Sequence, residues 1–304
     1  MATKRKSTSV TSAERAGIKP ATQAGAFSIG GKLPICRLGY GAMRITGKGI
    51  WGEPEDHDEV VRVLRRAVDL GINFIDTADS YGPEVSERLI AEALYPYPAD
   101  LVIATKAGFD RPGPDRWVEN GRPEHLRAAC EGSLRRLRVD RIALLQLHRI
   151  DPKVPADDQL GTLRDLQTEG KVRFVGLSEV NVAQIEHARK IVPIVTVQNR
   201  YSITDQAYND VLEYCEQAGI GFIPWFPLSA GKLTGPGSAI AQTAIKFKIT
   251  TSQLALAWLL WRSPVILPIP GTSKVRHLEE NVAATSLKLD ATSLEELGES
   301  LHAA

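Results

Sequence analysis

The stretch VLRRAVDLGINFID, residues 63–76, decides the fold. Its first half places apolar residues at helical spacing, Gly71 stands where a left-handed residue closes a helix, and a short apolar run follows at once. The same succession recurs in LRDLQTEGKVRFVGLS, residues 163–178, around Gly170, and in VLEYCEQAGIGFIPW, residues 211–225, around Gly219. Continuously apolar strands, rather than alternating ones, are buried on both faces, as in parallel sheets covered by helices. Adding ICRLGYGAM, ADLVIATK, RIALLQLH, VTVQN and VILPIP brings the count to eight strands. Helical patterns over residues 55–70, 123–137, 156–169, 182–190 and 252–261 lie between them. This alternation predicts a closed (β/α)8 TIM barrel, although an open doubly wound sheet shares the periodicity.

In both architectures ligands bind beyond the carboxyl ends of the strands. Those ends fall, in chain order, at residues 41–43, Asp76, Lys106, His148, 178–179, 198–199, Trp225 and 270–271. Lys106 closes an apolar run, where an ammonium without a partner is costly, so Asp76 on the neighbouring strand is its expected partner. A purely structural Asp–Lys bridge satisfies that pair equally well. Tyr81, five residues beyond Asp76, favours chemistry, because a phenol needs a nearby cation to give up its proton near neutrality. His148 ends the next strand, whereas the remaining histidines fall on predicted helices or in the tail. No H-x-H or H-E-x-x-H pattern is present, so no metal site is predicted.

With 304 residues, 43% hydrophobic and 24% charged, the chain suits an ordinary globular domain, and no apolar run reaches membrane-helix length. The expected location is cytoplasmic, with no membrane or nucleic-acid partner. Net charge is +1, but residues 1–24 carry Lys4, Arg5, Lys6, Arg15 and Lys19 against Glu14 alone and read as a disordered basic leader to a single domain over residues 25–304. Cys36, Cys130 and Cys215 form no C-x-x-C pair and read as reduced, buried thiols. GKGIWG, residues 47–52, matches G-x-G-x-x-G, yet the following helix starts only after Pro54, so it reads as a flexible loop whose Trp51 touches substrate or merely anchors the loop. PGTSKVRHLEEN, residues 270–281, opens a helix after the last strand and offers an anion site, or a plain helix start.

Taken jointly, GINFIDTADSYG, ATKAG, LLQLHR, GKVRFVGLSE, VQNRYS and PIPGTS…HLEENVAA resemble the aldo-keto reductase family over residues 27–284. The resemblance implies a TIM barrel with an N-terminal β-hairpin capping its bottom, and reduction of aldehydes or ketones by a nicotinamide cofactor, NADPH rather than NADH, reversible as alcohol oxidation. It carries the catalytic tetrad onto Asp76, Tyr81, Lys106 and His148, with Tyr81 as general acid, its pKa lowered by Lys106. By the same resemblance Gly41, Ala42 and Asp76 lie beside the nicotinamide, Ser178 and Gln198 on its carboxamide, and Trp225 against its ring, with Met43 and Glu179 also among the cofactor-binding residues. Phe226 joins Trp225 in the roof over the ring, Leu228, Ser229, Ala230 and Gly231 line the pyrophosphate, Pro227 and Lys232 flank them as cofactor-binding residues, and Gly271, Thr272, Ser273, Lys274, His277, Glu280 and Asn281 hold the adenosine end. Met43, Trp51, Tyr81 and His148 form the substrate pocket, open to a small-molecule carbonyl or alcohol, and the expected state is a monomer. Five positions depart from the commonest family pattern: Glu179 for Asn, Trp225-Phe226 for Tyr-Ser, Gly271 for Lys and His277 for Arg. A cofactor-sensing regulatory subunit is the alternative function on the same fold.

Overall fold

The computed structural model describes residue 17 and residues 19–228, 239–287, 289, 290, 292 and 294. Seven strands form one parallel sheet: β3 (Tyr40–Gly41), β4 (Phe74–Asp76), β5 (Val102–Ala107), β8 (Ile142–Leu147), β9 (Val172–Ser178), β10 (Ile194–Gln198) and β11 (Gly221–Phe222), each paired with the next in that order. Residues 265–270 close the ring. Phe222 N–H donates to the Val265 carbonyl and Leu267 N–H to the Phe222 carbonyl, both at 2.8 Å, while Gly39 N–H, just before β3, donates to the Pro268 carbonyl at 2.9 Å. Pro268 and Pro270 have no N–H to give, which is why this eighth segment makes an incomplete ladder. The sheet is therefore a barrel, and the open-sheet alternative falls.

Helices α1 (His57–Asp69), α2 (Val85–Leu94), α3 (Pro123–Leu137), α4 (Ala156–Thr168), α5 (Val182–Arg189), α6 (Asn209–Ala218), α7 (Ala239–Phe247), α8 (Thr251–Arg262) and α9 (Val275–Ala283) are the described helices outside the strands. The glycines that suggested the repeat end helices as expected. Gly71, Gly170 and Gly219 have φ of 96°, 80° and 66°, and the next residue's N–H bonds back across the last turn: Ile72 to Ala67, Lys171 to Leu166 and Ile220 to Cys215. Each helix thus turns straight into a strand.

Alternation along the strands sorts side chains between two environments. Ile75, Ile103, Leu145 and Val175 face the helices, while Phe74, Val102, Ala104, Leu144, Ile223, Leu267 and Ile269 fill the interior. A hairpin of β1 (Ala26–Ile29) and β2 (Leu33–Cys36) plugs the lower end, its Ile29 and Ile35 joining that interior cluster. Fully burying such a side chain contributes about 1.5–3 kcal/mol, so the plug and the lower layers fix the strand tips above them. The same period of two puts Asp76, Lys106, Gln146 and His148 on the inner face at the opposite end.

The folded region begins before residue 25. Pro20–Ala24 forms a 3-10 turn with Ala21 and Ala24 buried, and Ala21 N–H donates to the Leu70 carbonyl at 2.9 Å. Helices α2 and α7 have no counterpart in the predicted set, and neither has an antiparallel hairpin of β6 (Phe109–Gly113) and β7 (Arg116–Glu119) rising from the end of β5 over the barrel mouth. The sequence pattern of residues 293–301 predicts a further helix, and apart from Leu294 those residues lie outside the described ones. All three cysteines are free and buried.

Candidate active site

Asp76, Lys106, Tyr81 and His148 converge at the upper mouth. Lys106 is fully buried, and its ammonium makes three contacts, with Asp76 Oδ1 at 2.5 Å, the Thr77 carbonyl at 2.8 Å and the Tyr81 hydroxyl at 3.3 Å. Three donors and three acceptors leave nothing unmet on that nitrogen. Asp76 Oδ2 in turn accepts from the side-chain amides of Gln146 and Gln198, each at 2.9 Å. Burial would lower the Lys106 pKa, but Asp76 and Tyr81 outweigh it and leave the ammonium above its ordinary value.

The expectation that Lys106 lowers the Tyr81 pKa is met only in part. Lys106 does pull it down, yet burial outweighs that pull and holds the phenol above its ordinary value. Tyr81 therefore keeps its proton, as a proton donor must before it acts. His148 is pushed well below its ordinary value by burial, then by Lys106, Arg149 and Arg111, so its ring is neutral at pH 7. Its Nδ1 lies 3.3 Å from Ser80 Oγ.

The loop carrying Tyr81 is held from behind. Ser86 Oγ lies 2.7 Å from Thr77 Oγ1 and donates to the Ala42 carbonyl at 3.1 Å, while buried Glu87 accepts from Thr105 Oγ1 at 2.5 Å and Arg136 Nε at 2.6 Å. Gly82 permits the turn, since it has φ of 105° and a Cβ there would lie 2.4 Å from Val85 Cβ. From the solvent side Arg111 donates to the carbonyls of Ser80, Gly49 and Arg116 and stacks over Trp117, with 3.6 Å from the guanidinium carbon to the ring centre.

A cavity of about 550 Å³ opens above these groups. Met43, Tyr81 and His148 line it as predicted, together with Phe109, Trp117 and Arg149. Trp51 does not line it. Its neighbour Ile50 does, and the Trp51 ring instead lies under Arg111, 5.7 Å from ring centre to guanidinium carbon. Residues 47–52 are a loop, as read, but a pinned one: Gly47 N–H bonds to the Gly52 carbonyl at 3.0 Å and Asp115 N–H to the Gly49 carbonyl at 3.0 Å.

The expected cofactor residues run across the same mouth. Gly41, Ser178, Gln198, Trp225, Phe226, Pro227, Leu228 and Gly271 all line the cavity. Gly41 and Gly271 are glycines because the first and last strands touch there: a Cβ on Gly41 would lie 2.5 Å from the Ile269 carbonyl oxygen, and one on Gly271 would lie 2.6 Å from that of Gly41. Ala42 is buried behind them. Glu179 faces Trp225, with its Oε1 2.6 Å from the indole nitrogen. At the far end Thr272 Oγ1 accepts from Lys274 N–H at 3.1 Å, and Asn281 is buried, while Lys274 and His277 are exposed and Ser273 and Glu280 half-buried. The start of α9 is not bare. Glu59 Oε1 accepts from Val275 N–H at 3.0 Å, and Asp56 stands 3.8 Å from the Lys274 ammonium, so carboxylates already answer part of this predicted anion site. Ser229, Ala230, Gly231 and Lys232 lie outside the described residues.

Sequence reasoning missed Gln146, Ser80, Arg111, Arg149 and Glu87. Gln146 was findable, since it sits two residues before His148 and shares its face of β8. Among the described residues, no helix is long and apolar enough to cross a membrane.

Known proteins match this arrangement along nearly the whole chain. It is 52% identical to an uncharacterized oxidoreductase of Schizosaccharomyces pombe, covering 92% of this chain and 90% of that protein. It is 42% identical to pyridoxine 4-dehydrogenase of Escherichia coli, covering 89% and 96% respectively. An aldo-keto reductase from Klebsiella pneumoniae, solved in complex with NADPH, superposes with a TM-score of 0.76 at 26% identity, covering 91% of this chain and 94% of that one. The family model described as "Aldo/keto reductase family" matches residues 37–301, and the chain belongs to that family.

Proposed function

We propose that this member of an oxidoreductase family reduces aldehydes or ketones to alcohols with NADPH as its cofactor and Tyr81 as the general acid. The observation that carries this reading is the single ammonium of Lys106, shared between Asp76 and the Tyr81 hydroxyl at the floor of an aromatic-walled cavity. The residues present fit a nicotinamide carboxamide. Ser178 Oγ accepts from Arg149 at 3.0 Å, which leaves its own O–H free to donate, and the Gln198 amide nitrogen is spent on Asp76, which leaves its oxygen free to accept. The Klebsiella relative's complex supports NADPH as the nucleotide. When bound, that cofactor supplies the hydride.

The chain's own residues handle the proton. Tyr81 donates it to the substrate's carbonyl oxygen, and Lys106, kept charged by Asp76, stabilises the phenolate left behind. With Ser80 donating to Nδ1, neutral His148 carries its proton on Nε2 and directs it at the same carbonyl oxygen. Phe109 and Trp117 pack edge-on against His148, at centroid distances of 4.7 and 6.1 Å, and keep water from its ring.

Pyridoxal is the first carbonyl to offer, because the Escherichia coli relative is a pyridoxine 4-dehydrogenase and the cavity walls suit an aromatic ring. The test is oxidation of NADPH followed by absorbance, with pyridoxal and 4-nitrobenzaldehyde as substrates and Tyr81→Phe alongside. The variant is expected to lose about 10²–10⁴-fold in kcat/KM, the usual worth of a positioned proton donor. A variant rate within a few-fold of wild type would remove Tyr81 from the role. Cofactor binding without oxidation would instead favour a regulatory subunit.

A further inference from the structure

Glu179 has an arrangement that its place one residue beyond β9 does not require. It sits at φ of 56°, a strained left-handed conformation that a non-glycine residue keeps only where its surroundings impose it. Its carboxylate makes three contacts. Oε1 accepts from the Trp225 indole N–H and from the Arg200 backbone N–H, each at 2.6 Å, and Oε2 accepts from the Tyr208 hydroxyl at 3.2 Å.

Trp225 is in particular need of such a partner. Only its backbone is fixed by the barrel, through its N–H to the Asn199 carbonyl at 3.1 Å and through a bridge to Arg200. The chain leaves the barrel at the next residue, where Phe226 adopts φ of 65°. The indole lines the cavity as a half-buried wall, and its N–H has Glu179 as its acceptor. A half-turn of the ring would strand that N–H and present a different edge to the cavity.

We infer that Glu179 is a positioning residue: by holding the Trp225 indole, the Arg200 backbone and the Tyr208 hydroxyl together, it sets the wall against which the nicotinamide cofactor binds, and with it the geometry of hydride transfer. This rests on the reductase reading proposed above. Two departures from the usual family pattern, at residues 179 and 225, thereby become one device, since the carboxylate at the first serves the indole at the second.

The test measures NADPH affinity by titration calorimetry and the single-turnover rate with 4-nitrobenzaldehyde, in wild type, Glu179→Ala, Glu179→Gln, Trp225→Phe and the Glu179→Ala/Trp225→Phe double variant. Glu179→Ala is expected to weaken NADPH binding and slow hydride transfer by about tenfold each, the usual worth of a hydrogen bond to a charged group. The KM for the aldehyde at saturating cofactor stays in place. Glu179→Gln, which keeps an acceptor for both N–H groups, recovers most of both losses. Trp225→Phe, which keeps a ring but lacks the N–H, reproduces Glu179→Ala, and the double variant is no worse than either single one, the signature of a shared interaction. Glu179→Ala with wild-type affinity and rate would overturn the clamp alone. So would Glu179→Gln as impaired as Glu179→Ala, or losses that add in the double variant. Wild-type protein that neither binds NADPH nor turns over would overturn the clamp together with the reductase reading.

Discussion

Two buried aspartates lie three residues apart, one ending β4 and the other on the loop after it, and the chain treats them in opposite ways. Asp76 is met on both oxygens, by an ammonium and two side-chain amides. Asp79 has an Oδ1 with no hydrogen-bond partner among the described residues, and burial, with Glu87 next, pushes its carboxyl up to about 8, although Arg136 and Ser80 pull it down. One aspartate is a charge built into the site, and the other is a neutral acid packed behind it. Burial is nearly the same for both, so the number and sign of the partners decide.

The largest expected effect comes from breaking the satisfied member. In Asp76→Asn the amide N–H2 must face either the Lys106 ammonium or the two glutamine amides, all of them donors. Breaking a buried pair in this way costs about 3–5 kcal/mol, and kcat/KM is expected to fall by about 10²–10⁴-fold as Lys106 loses its hold beside Tyr81. Denaturant midpoints and steady-state rates measure the two losses. A variant of wild-type stability would mean that Thr77 and Tyr81 suffice to hold the ammonium, and the contrast between the aspartates would be lost.

The unsatisfied member is expected to show itself in the pH dependence of stability. Folded Asp79 keeps its proton up to about pH 8, whereas the unfolded chain releases it at the ordinary 3.8. Between those values unfolding releases a proton, so this group makes the folded state lose ground as pH rises, by at most about 1.4 kcal/mol per pH unit, and contributes no further slope above pH 8. Asp79→Asn removes that term. Relative to wild type its stability is expected to climb from pH 5 to pH 8 and then level off, as read by chemical denaturation at each pH. Parallel curves for the two proteins would show that Asp79 is ionised when folded.

This pair also marks how far the sequence could be read. Asp76, Lys106 and His148 were legible because each ends an apolar run, and period-two alternation then carries all three to the inner face of the barrel. Tyr81 followed from the chemistry they need. Asp79 was not legible, because its state depends on Glu87 and Arg136, which reach it from α2 and α3 through tertiary packing that no local pattern reports. The β6–β7 hairpin escaped for another reason: Pro112, Gly113 and Pro114 at its tip read as loop, so the sheet that brings Trp117 over the site was invisible. Glu179 and Trp225 were each noticed as departures from the family, but only the folded barrel brings the carboxylate to the indole.

The smallest effect tests whether the loop bearing Asp79 and Tyr81 is also pinned from outside. Arg111 donates to the Ser80 carbonyl at 2.6 Å, between Asp79 and Tyr81 in the chain, and its other bonds reach residue 49 and residue 116 of its own hairpin, so one guanidinium ties two loops to the β6–β7 hairpin over the cavity. The Gly49 and Arg116 carbonyls are open enough for water to serve in its absence, so only the bond to buried Ser80 is lost and stability should fall by no more than about 1 kcal/mol. What Arg111→Ala removes is the fixed position of Trp117, whose ring the guanidinium covers at 3.6 Å. Bulky aromatic carbonyls that rest on Trp117 are expected to show a KM about 3–10-fold higher, in line with a loss of about 1 kcal/mol, while small aliphatic aldehydes and kcat change little. If kcat fell instead, with KM unmoved, Arg111 would be acting through Ser80 on His148 and Tyr81, and the support behind Asp76 would prove insufficient to hold the tetrad without a clasp in front.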